Sequence, residues 1–68
     1  MRLKVNGEEI DTAAATLLQL LQEKKIKPER VAVEVNLKVL KRADFERHRL
    51  HEGDIVEIVN FVGGGIKK

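Results

Sequence analysis

The chain contains no cysteine, tryptophan or tyrosine, and it has one proline and two phenylalanines among its 68 residues. The absence of cysteine excludes disulfides, thiolate metal sites, iron–sulfur clusters and cysteine nucleophiles, and it is compatible with a reducing compartment. Few aromatic side chains are available to stack against bases, whereas sequence-tolerant nucleic-acid binders usually have several. We therefore do not expect a nucleic-acid partner.

Long apolar runs and a strong charge imbalance are also missing. No segment approaches the roughly 20 apolar residues of a membrane-spanning helix, and the N-terminus alternates charged and apolar side chains instead of forming a signal core. The formal charge of +2 comes from 13 basic and 11 acidic residues that are interspersed along the chain. These features predict a small cytoplasmic protein of one domain, with no membrane partner.

Alternation of apolar and polar residues predicts the strands. Leu3 and Val5 indicate a half-buried strand, Asn6-Gly7 a tight hairpin turn, and residues 8–11 the return strand. A second hairpin is predicted for residues 31–35 and 39–40, with its turn beginning at Asn36. Residues 55–59 are mostly apolar on both faces, which predicts a strand inside the sheet rather than at its edge.

The helix signals are equally local. Thr16 and Gln19 have the spacing of a capping box, which predicts a helix from Thr16 to about Lys25. Its four leucines lie on one broad face, so this helix should cover one side of the sheet. One further helical turn is predicted for residues 43–48, with Phe45 as its apolar contact.

The predicted order of elements is strand, strand, helix, strand, short strand, strand. If the last strand pairs in parallel with the first and the helix packs across one face, every apolar stripe meets in one core. This arrangement is the β-grasp fold of the α+β class, with a mixed sheet of four to five strands covered by one main helix. We divide the chain into a β-grasp domain over residues 1–62 and a glycine-rich tail, predicted to be flexible, over residues 63–68.

The tail is the most informative segment for function. An apolar strand leads directly into Gly63, Gly64 and Gly65, which are followed by Ile66-Lys67-Lys68. A glycine run adds little stability, because glycine loses the most conformational freedom on ordering and contributes no side-chain contact. Two interpretations stay open at this point. The segment is either a flexible chain end, or a slim backbone that threads a channel of another protein and presents its carboxylate there.

Three motifs, in this order and spacing, resemble the ThiS family of sulfur carriers of thiamine biosynthesis. They are LKVNG at residues 3–7, GDIVEI at 53–58 and FVGGG at 61–65, and the resemblance spans residues 1–65. The related carriers of molybdopterin synthase are usually longer and approach their glycines through a proline-containing segment. This chain lacks that segment, which favours the thiamine branch.

The resemblance implies a carrier that acts as a cosubstrate and not as an enzyme. An E1-like adenylating enzyme of the ThiF type would use ATP to activate the Gly65 carboxylate, and a sulfur donor such as a cysteine desulfurase system would supply the sulfur of the thiocarboxylate. A thiazole synthase of the ThiG type would then receive that sulfur. By the same resemblance Gly63 and Gly64 would thread the partner's channel, Phe61 and Val62 would contact the partner, and the chain itself would bind no cofactor.

The chain departs from the family pattern after Gly65, where Ile66, Lys67 and Lys68 follow. The carbonyl of Gly65 is then an amide that adenylation does not activate, so a tail-trimming protease becomes an expected partner. Two alternatives remain open. One is a sulfur carrier for molybdopterin or cysteine synthesis, and the other is a noncatalytic ubiquitin-like interaction domain that uses its sheet surface.

Other candidate sites are weaker. His48 and His51 have the spacing of a two-histidine metal pair, but no third ligand is apparent, so no metal site is predicted. The glycine run and Lys67 lack the following helix that a phosphate loop needs. Phe45 and Phe61 are interpreted as core or junction residues rather than base-stacking platforms.

Overall fold

A computed structural model describes residues 1–61 of the chain. In this part, five strands form one sheet, and an α-helix packs across one of its faces. The elements are β1 Arg2–Val5, β2 Glu8–Asp11, α1 Leu17–Glu23, β3 Val31–Val35, β4 Lys38–Leu40 and β5 Ile55–Asn60. Short 3₁₀ helices span Pro28–Arg30 and Arg42–Asp44.

The sheet has the strand order β2-β1-β5-β3-β4. β5 runs parallel to β1, with Lys4 opposite Ile55 and Val5 opposite Val56, and it runs antiparallel to β3. The last strand within residues 1–61 is therefore the middle strand of the sheet, bonded on both edges. The mixed sheet with one covering helix confirms the predicted β-grasp fold.

The first turn of α1 is held by the predicted capping box. The Gln19 backbone N–H donates to the Thr16 hydroxyl at 3.2 Å, and the Gln19 side-chain oxygen accepts from the Thr16 N–H at 3.3 Å. Leu17, Leu20 and Leu21 are completely buried against the sheet. Each contributes about 1.5–3 kcal/mol of transfer free energy, so the helix is stabilised mainly by this face.

The helix ends at Glu23, two residues before the predicted end at Lys25. Lys25 adopts a positive φ of 59°, and the following Ile26 N–H donates back to the Leu21 carbonyl at 2.8 Å. This is the Schellman ending, which is formed by a lysine here where glycine is usual.

Among residues 1–61, none of the helices has the length and apolar character of a membrane span.

The core lies between α1 and one face of the sheet. Its buried apolar residues are Leu3, Val5, Ala14, Leu17, Leu20, Leu21, Val31, Val33, Val35, Phe45, Leu50 and Val56. Phe45 is 2% exposed, as expected for a core residue. The predicted helical turn over 43–48 is instead the 3₁₀ helix Arg42–Asp44 followed by turns, which direct Phe45 inward.

Candidate functional site

The end of β5 is where the candidate tail begins. The Phe61 backbone N–H donates to the Arg30 carbonyl at 3.1 Å, which extends the pairing of β5 with its neighbour by one residue beyond Asn60. The Phe61 side chain is 51% exposed, so it is a junction residue and does not belong to the core. Val62, Gly63, Gly64, Gly65 and the segment 66–68 lie outside the described residues, and their roles stay predictions.

Two asparagine side chains hold β5 from its two sides. The Asn6 Oδ1 accepts from the Ile58 N–H at 2.8 Å, and its Nδ2 donates to the Ile58 carbonyl at 3.3 Å. The Asn36 Oδ1 accepts from the Ile55 N–H at 3.0 Å, and its Nδ2 donates to the Asp54 carboxylate at 3.0 Å. The strand that leads to the tail is thus fixed by side chains as well as by the sheet.

Asp54 anchors the turn that introduces β5. Asp54 is 9% exposed, and its carboxylate accepts from the His51 backbone N–H at 2.8 Å as well as from the Asn36 side chain. The neighbouring Gly53 adopts a φ of 86°, and its N–H donates to the Arg2 carbonyl at 2.8 Å. Asp54 is therefore a structural carboxylate. Its position directly before an apolar strand was the only sequence signal for this role.

The face of the sheet opposite α1 exposes apolar side chains of β5. Val56 and Ile58 point toward the core, whereas Ile55 and Val59 point away from it and are 46% and 60% exposed. The prediction that β5 lies inside the sheet is confirmed by its two neighbours. Its second apolar face is nevertheless left uncovered by residues 1–61.

The hairpin of β3 and β4 adds to this open face. Val39 is 71% exposed, and Leu37 at the turn is 84% exposed with a φ of 71°. Glu34 of β3 lies directly opposite Glu57 of β5 and also opposite Val39 of β4. Neither carboxylate forms an ion pair or a side-chain hydrogen bond with another group in the described part of the chain. Sequence reasoning missed both this acidic pair and Leu37.

The hairpin of β1 and β2 has a different outer surface. The Arg2 guanidinium contacts Glu9 at 3.3 Å and Asp11 at 3.4 Å, and all three side chains are exposed. The hydrogen bond to Asp11 and its negative charge, followed by those of Glu9, raise the pKa of Arg2 above its ordinary value. Two carboxylates of this hairpin are therefore paired within the hairpin itself.

The remaining candidate positions form no chemical site. His48 is half-buried and His51 is exposed, and no group of three or more His, Cys, Asp or Glu within residues 1–61 could hold a metal ion. An open depression of about 640 Å³ lies on the helix side. It is lined by Leu18, Pro28, Glu29, Arg42, Ala43, Phe45 and Glu46, a set without a nucleophile.

Comparison with known proteins places this geometry in a family. The model of the ThiS family matches residues 3–65. The crystal structure of the thiamine biosynthesis protein ThiS from Geobacter metallireducens has a TM-score of 0.80 and 38% sequence identity, over 96% of this chain and 100% of that chain.

Two curated relatives are similar over the same region but are much longer. They are thiazole synthases of Paramagnetospirillum magneticum and Magnetococcus marinus, which are 39% and 41% identical over 66 residues. The match covers 96% of this chain and 20% of each relative, so the chain spans about a fifth of their length. Because the family model covers nearly the whole chain and the fold agrees with a solved ThiS, this chain belongs to the ThiS family.

Proposed function

We propose that this protein is a sulfur carrier of thiamine biosynthesis, whose reactive group is the carboxylate of Gly65. The observation that supports this proposal best is the extent of the family match, which ends at Gly65 itself. The carrier would be a cosubstrate, and its partner enzymes would supply the nucleotide site and the nucleophiles. A cytoplasmic location is part of the same proposal.

The chemistry follows from the weakness of a carboxylate as an electrophile. On the adenylating enzyme, of the ThiF type, a carboxylate oxygen of Gly65 attacks the α-phosphorus of ATP, and pyrophosphate leaves. The acyl-adenylate carbon is then attacked by a sulfur nucleophile, and AMP departs with the bonding electrons. A donor such as a cysteine desulfurase system would supply this sulfur as the outer sulfur of a persulfide. A thiol then cleaves the resulting S–S bond by exchange and forms a disulfide with the donor's sulfur, and Gly65 ends in a thiocarboxylate.

The printed sequence continues with Ile66-Lys67-Lys68, so Gly65 first has to acquire a free carboxylate. A protease would add water across the bond between Gly65 and Ile66 and release the last three residues. The branched side chain of Ile66 is also unsuited to a channel sized for glycine. Removal of these residues is therefore a required step of the proposal.

The fold suits the task of holding a narrow tail at a defined point. β5 pairs with β3 up to Asn60 and with β1 up to Val56, and Phe61 is still bonded through its N–H. Ordering the four residues 62–65 in a partner's channel would cost about 1–2 kcal/mol of backbone entropy for each of them. Contacts of Phe61 and Val62 with the partner, together with backbone hydrogen bonds in the channel, are proposed to offset this cost.

A thiazole synthase of the ThiG type is the proposed acceptor of the sulfur. Its support is the pair of curated relatives, in which a domain similar to this chain forms a fifth of a polypeptide named thiazole synthase. In such a polypeptide, the domain that is similar to this chain always stays close to the rest of the protein.

A direct test uses a version of the chain that ends at Gly65. It is incubated with the cognate adenylating enzyme, ATP and a sulfur donor, and its intact mass is measured. The expected result is an adenylate, and then the mass gain of one oxygen replaced by sulfur. The full chain ending at Lys68 is the matched control and should remain unchanged.

The outcome separates the proposal from its alternatives. If neither adenylate nor thiocarboxylate forms, the protein is not a carrier, and an interaction domain that uses its open sheet face becomes the better interpretation. If the thiocarboxylate forms but transfers no sulfur to thiazole synthase, the acceptor belongs to molybdopterin or cysteine synthesis. Replacement of Gly64 by valine should reduce conversion strongly, because a side chain would enter the proposed channel.

A further inference from the structure

Leu37, at the tip of the second hairpin, has two features that the fold does not require. Its φ of 71° is a left-handed backbone conformation, which glycine and asparagine adopt readily and leucine adopts at an energetic cost. Its side chain is 84% exposed, so little packing is gained in return. An apolar residue that is both strained and exposed is a reason to look for a role outside the folded chain.

Leu37 belongs to a larger surface. Val39 is 71% exposed and lies opposite Glu34, and Glu34 lies opposite Glu57. Ile55 is 46% exposed, precedes Glu57 by two residues on the same face, and accepts from the Asn36 N–H at 2.8 Å. We call this the tip surface; it consists of Glu34, Leu37, Val39, Ile55 and Glu57.

The charges of the tip surface define the chemistry of its partner. Like charges that lie directly opposite each other in neighbouring strands repel, and Glu34 and Glu57 form no ion pair among residues 1–61. An arginine or lysine that approaches the open face would meet both carboxylates at once. The complementary surface is therefore apolar and includes at least one positive side chain.

The tip surface and the tail are at opposite ends of the same strand. Ile55 begins β5 and Phe61 follows its end, which separates them by about 20 Å along the strand. Val59 and Phe61, both exposed, continue the apolar surface of Ile55 along that side. A partner that holds residues beyond Phe61 and extends over the open face would reach the tip surface.

We propose that the tip surface is a second attachment point for thiazole synthase, distant from the tail, and that the enzyme meets it with an apolar patch containing a positive side chain. This inference rests on the proposed function, which makes thiazole synthase the acceptor of the tail. Thiazole synthase is chosen over other occupants because two relatives unite a similar domain with the remainder of a thiazole synthase in one chain.

The first experiment measures binding of the chain ending at Gly65 to its cognate thiazole synthase by calorimetry, with the wild-type sequence and with Leu37→Asn. Asparagine suits the left-handed backbone but removes the apolar side chain. The Kd is expected to rise about tenfold or more, as for a buried anchor at an interface. The thermal midpoint of the variant should stay equal or rise, whereas a structural role of Leu37 predicts that it falls. Leu37→Gly should weaken binding in the same way.

The second experiment tests the acidic pair through salt. The double variant Glu34→Gln and Glu57→Gln should bind thiazole synthase several-fold more weakly at low salt, and its Kd should depend less on ionic strength than that of the wild type. Glu8→Gln is the matched control, because Glu8 is an exposed residue of β2 outside the tip surface. It should leave both the affinity and the salt dependence nearly unchanged.

Several results would overturn the inference. The inference fails if Leu37→Asn binds thiazole synthase as tightly as the wild type does, or if the wild type does not bind at all. It also fails if Leu37→Asn weakens binding only to the adenylating enzyme, or if Leu37 mediates self-association of the chain. The proposed function is judged separately. If the thiocarboxylate forms on Gly65 while Leu37→Asn binds normally, only the tip surface fails; if no thiocarboxylate forms, the carrier role fails first.

Discussion

The two hairpins flank β5 and are built on the same turn, yet they differ at a single decisive position. In the first hairpin Asn6 and Gly7 have φ of 50° and 83°, and in the second Asn36 and Leu37 have φ of 53° and 71°. Both loops contain two residues between paired strands, and in both the asparagine side chain accepts a hydrogen bond from a backbone N–H of β5. Glycine takes the second turn position without strain, whereas leucine pays about 1–2 kcal/mol for it.

The outer surfaces of the two hairpins also differ, in their charges and in their exposed apolar area. On the first, Arg2 neutralises Glu9 and Asp11 of the neighbouring strand. On the second, Glu34 faces another carboxylate on β5, and Val39 is largely exposed. The first hairpin thus has ion pairs between its two strands. The second retains strain, like charge and apolar surface, which is what a surface selected for a partner would retain.

The largest expected effect comes from Asn36→Asp, which is compared with Asn6→Asp. Asn36→Asp removes the donor to Asp54 and places two carboxylates 3.0 Å apart, so we expect a loss of about 2–4 kcal/mol of unfolding free energy at neutral pH. Asn6→Asp keeps the acceptor for the Ile58 N–H and loses only the 3.3 Å bond, so its loss should be about 1 kcal/mol. Urea denaturation measures both.

The difference between these two variants should also depend on pH. As the pH falls through the carboxylate range, a proton on either carboxyl of the variant pair restores a donor and removes the repulsion. The gap between Asn36→Asp and Asn6→Asp should therefore narrow in acid. Equal losses at neutral pH would mean that the two asparagines hold β5 equally strongly.

A smaller effect is expected for Gly7→Leu, which makes the first turn chemically like the second. An added Cβ at Gly7 meets no atom within 4 Å, so the whole cost is backbone strain at a φ of 83°. The expected loss is about 1–2 kcal/mol, measured by urea denaturation. Gly7→Asn is the control and should lose less. A loss below about 0.5 kcal/mol would indicate that leucine is tolerated in such a turn, and the strain at Leu37 would then say nothing about function.

The smallest effect is expected for Arg2→Gln on the first hairpin. The ion pairs of Arg2 are exposed and are screened by water and salt, so the thermal midpoint should change less than in Gly7→Leu. Differential scanning calorimetry at low and high salt is the measurement, and the small difference from the wild type should vanish at high salt. A decrease as large as that of Gly7→Leu would contradict the view that these pairs merely satisfy the surface.

The fold was predictable because its signals are local and agree with each other. Asn6-Gly7 specifies its turn, Thr16 and Gln19 specify the start of α1, and the alternation in β3 specifies a buried face. Once the apolar faces of the helix and the strands were identified, a parallel pairing of the first and last strands was enough to bury all of them in one core. The family resemblance and the structural comparison led to the same fold.

The features that were not predicted depend on tertiary contacts or on unusual backbone. The bond between Asn36 and Asp54 joins residues 18 positions apart, and no local pattern announces it. Lys25 and Leu37 adopt positive φ without being glycine or asparagine, so propensity rules extend the helix and, although they mark a turn at Asn36, do not anticipate the left-handed backbone at Leu37. Among the candidate site residues, Phe61 lies at the junction between β5 and the tail. The predictions for Val62 to Gly65 concern positions outside the described residues.

The central place of β5 has a mechanical consequence for a protein that is held by its end. Force applied through Phe61 would act along a strand bonded to β1 on one edge and to β3 on the other. The hydrogen bonds to both neighbouring strands would then be loaded in shear and would have to break together, whereas an edge strand can separate one bond at a time. An enzyme could grip and release this chain end repeatedly while the rest of the molecule stayed intact.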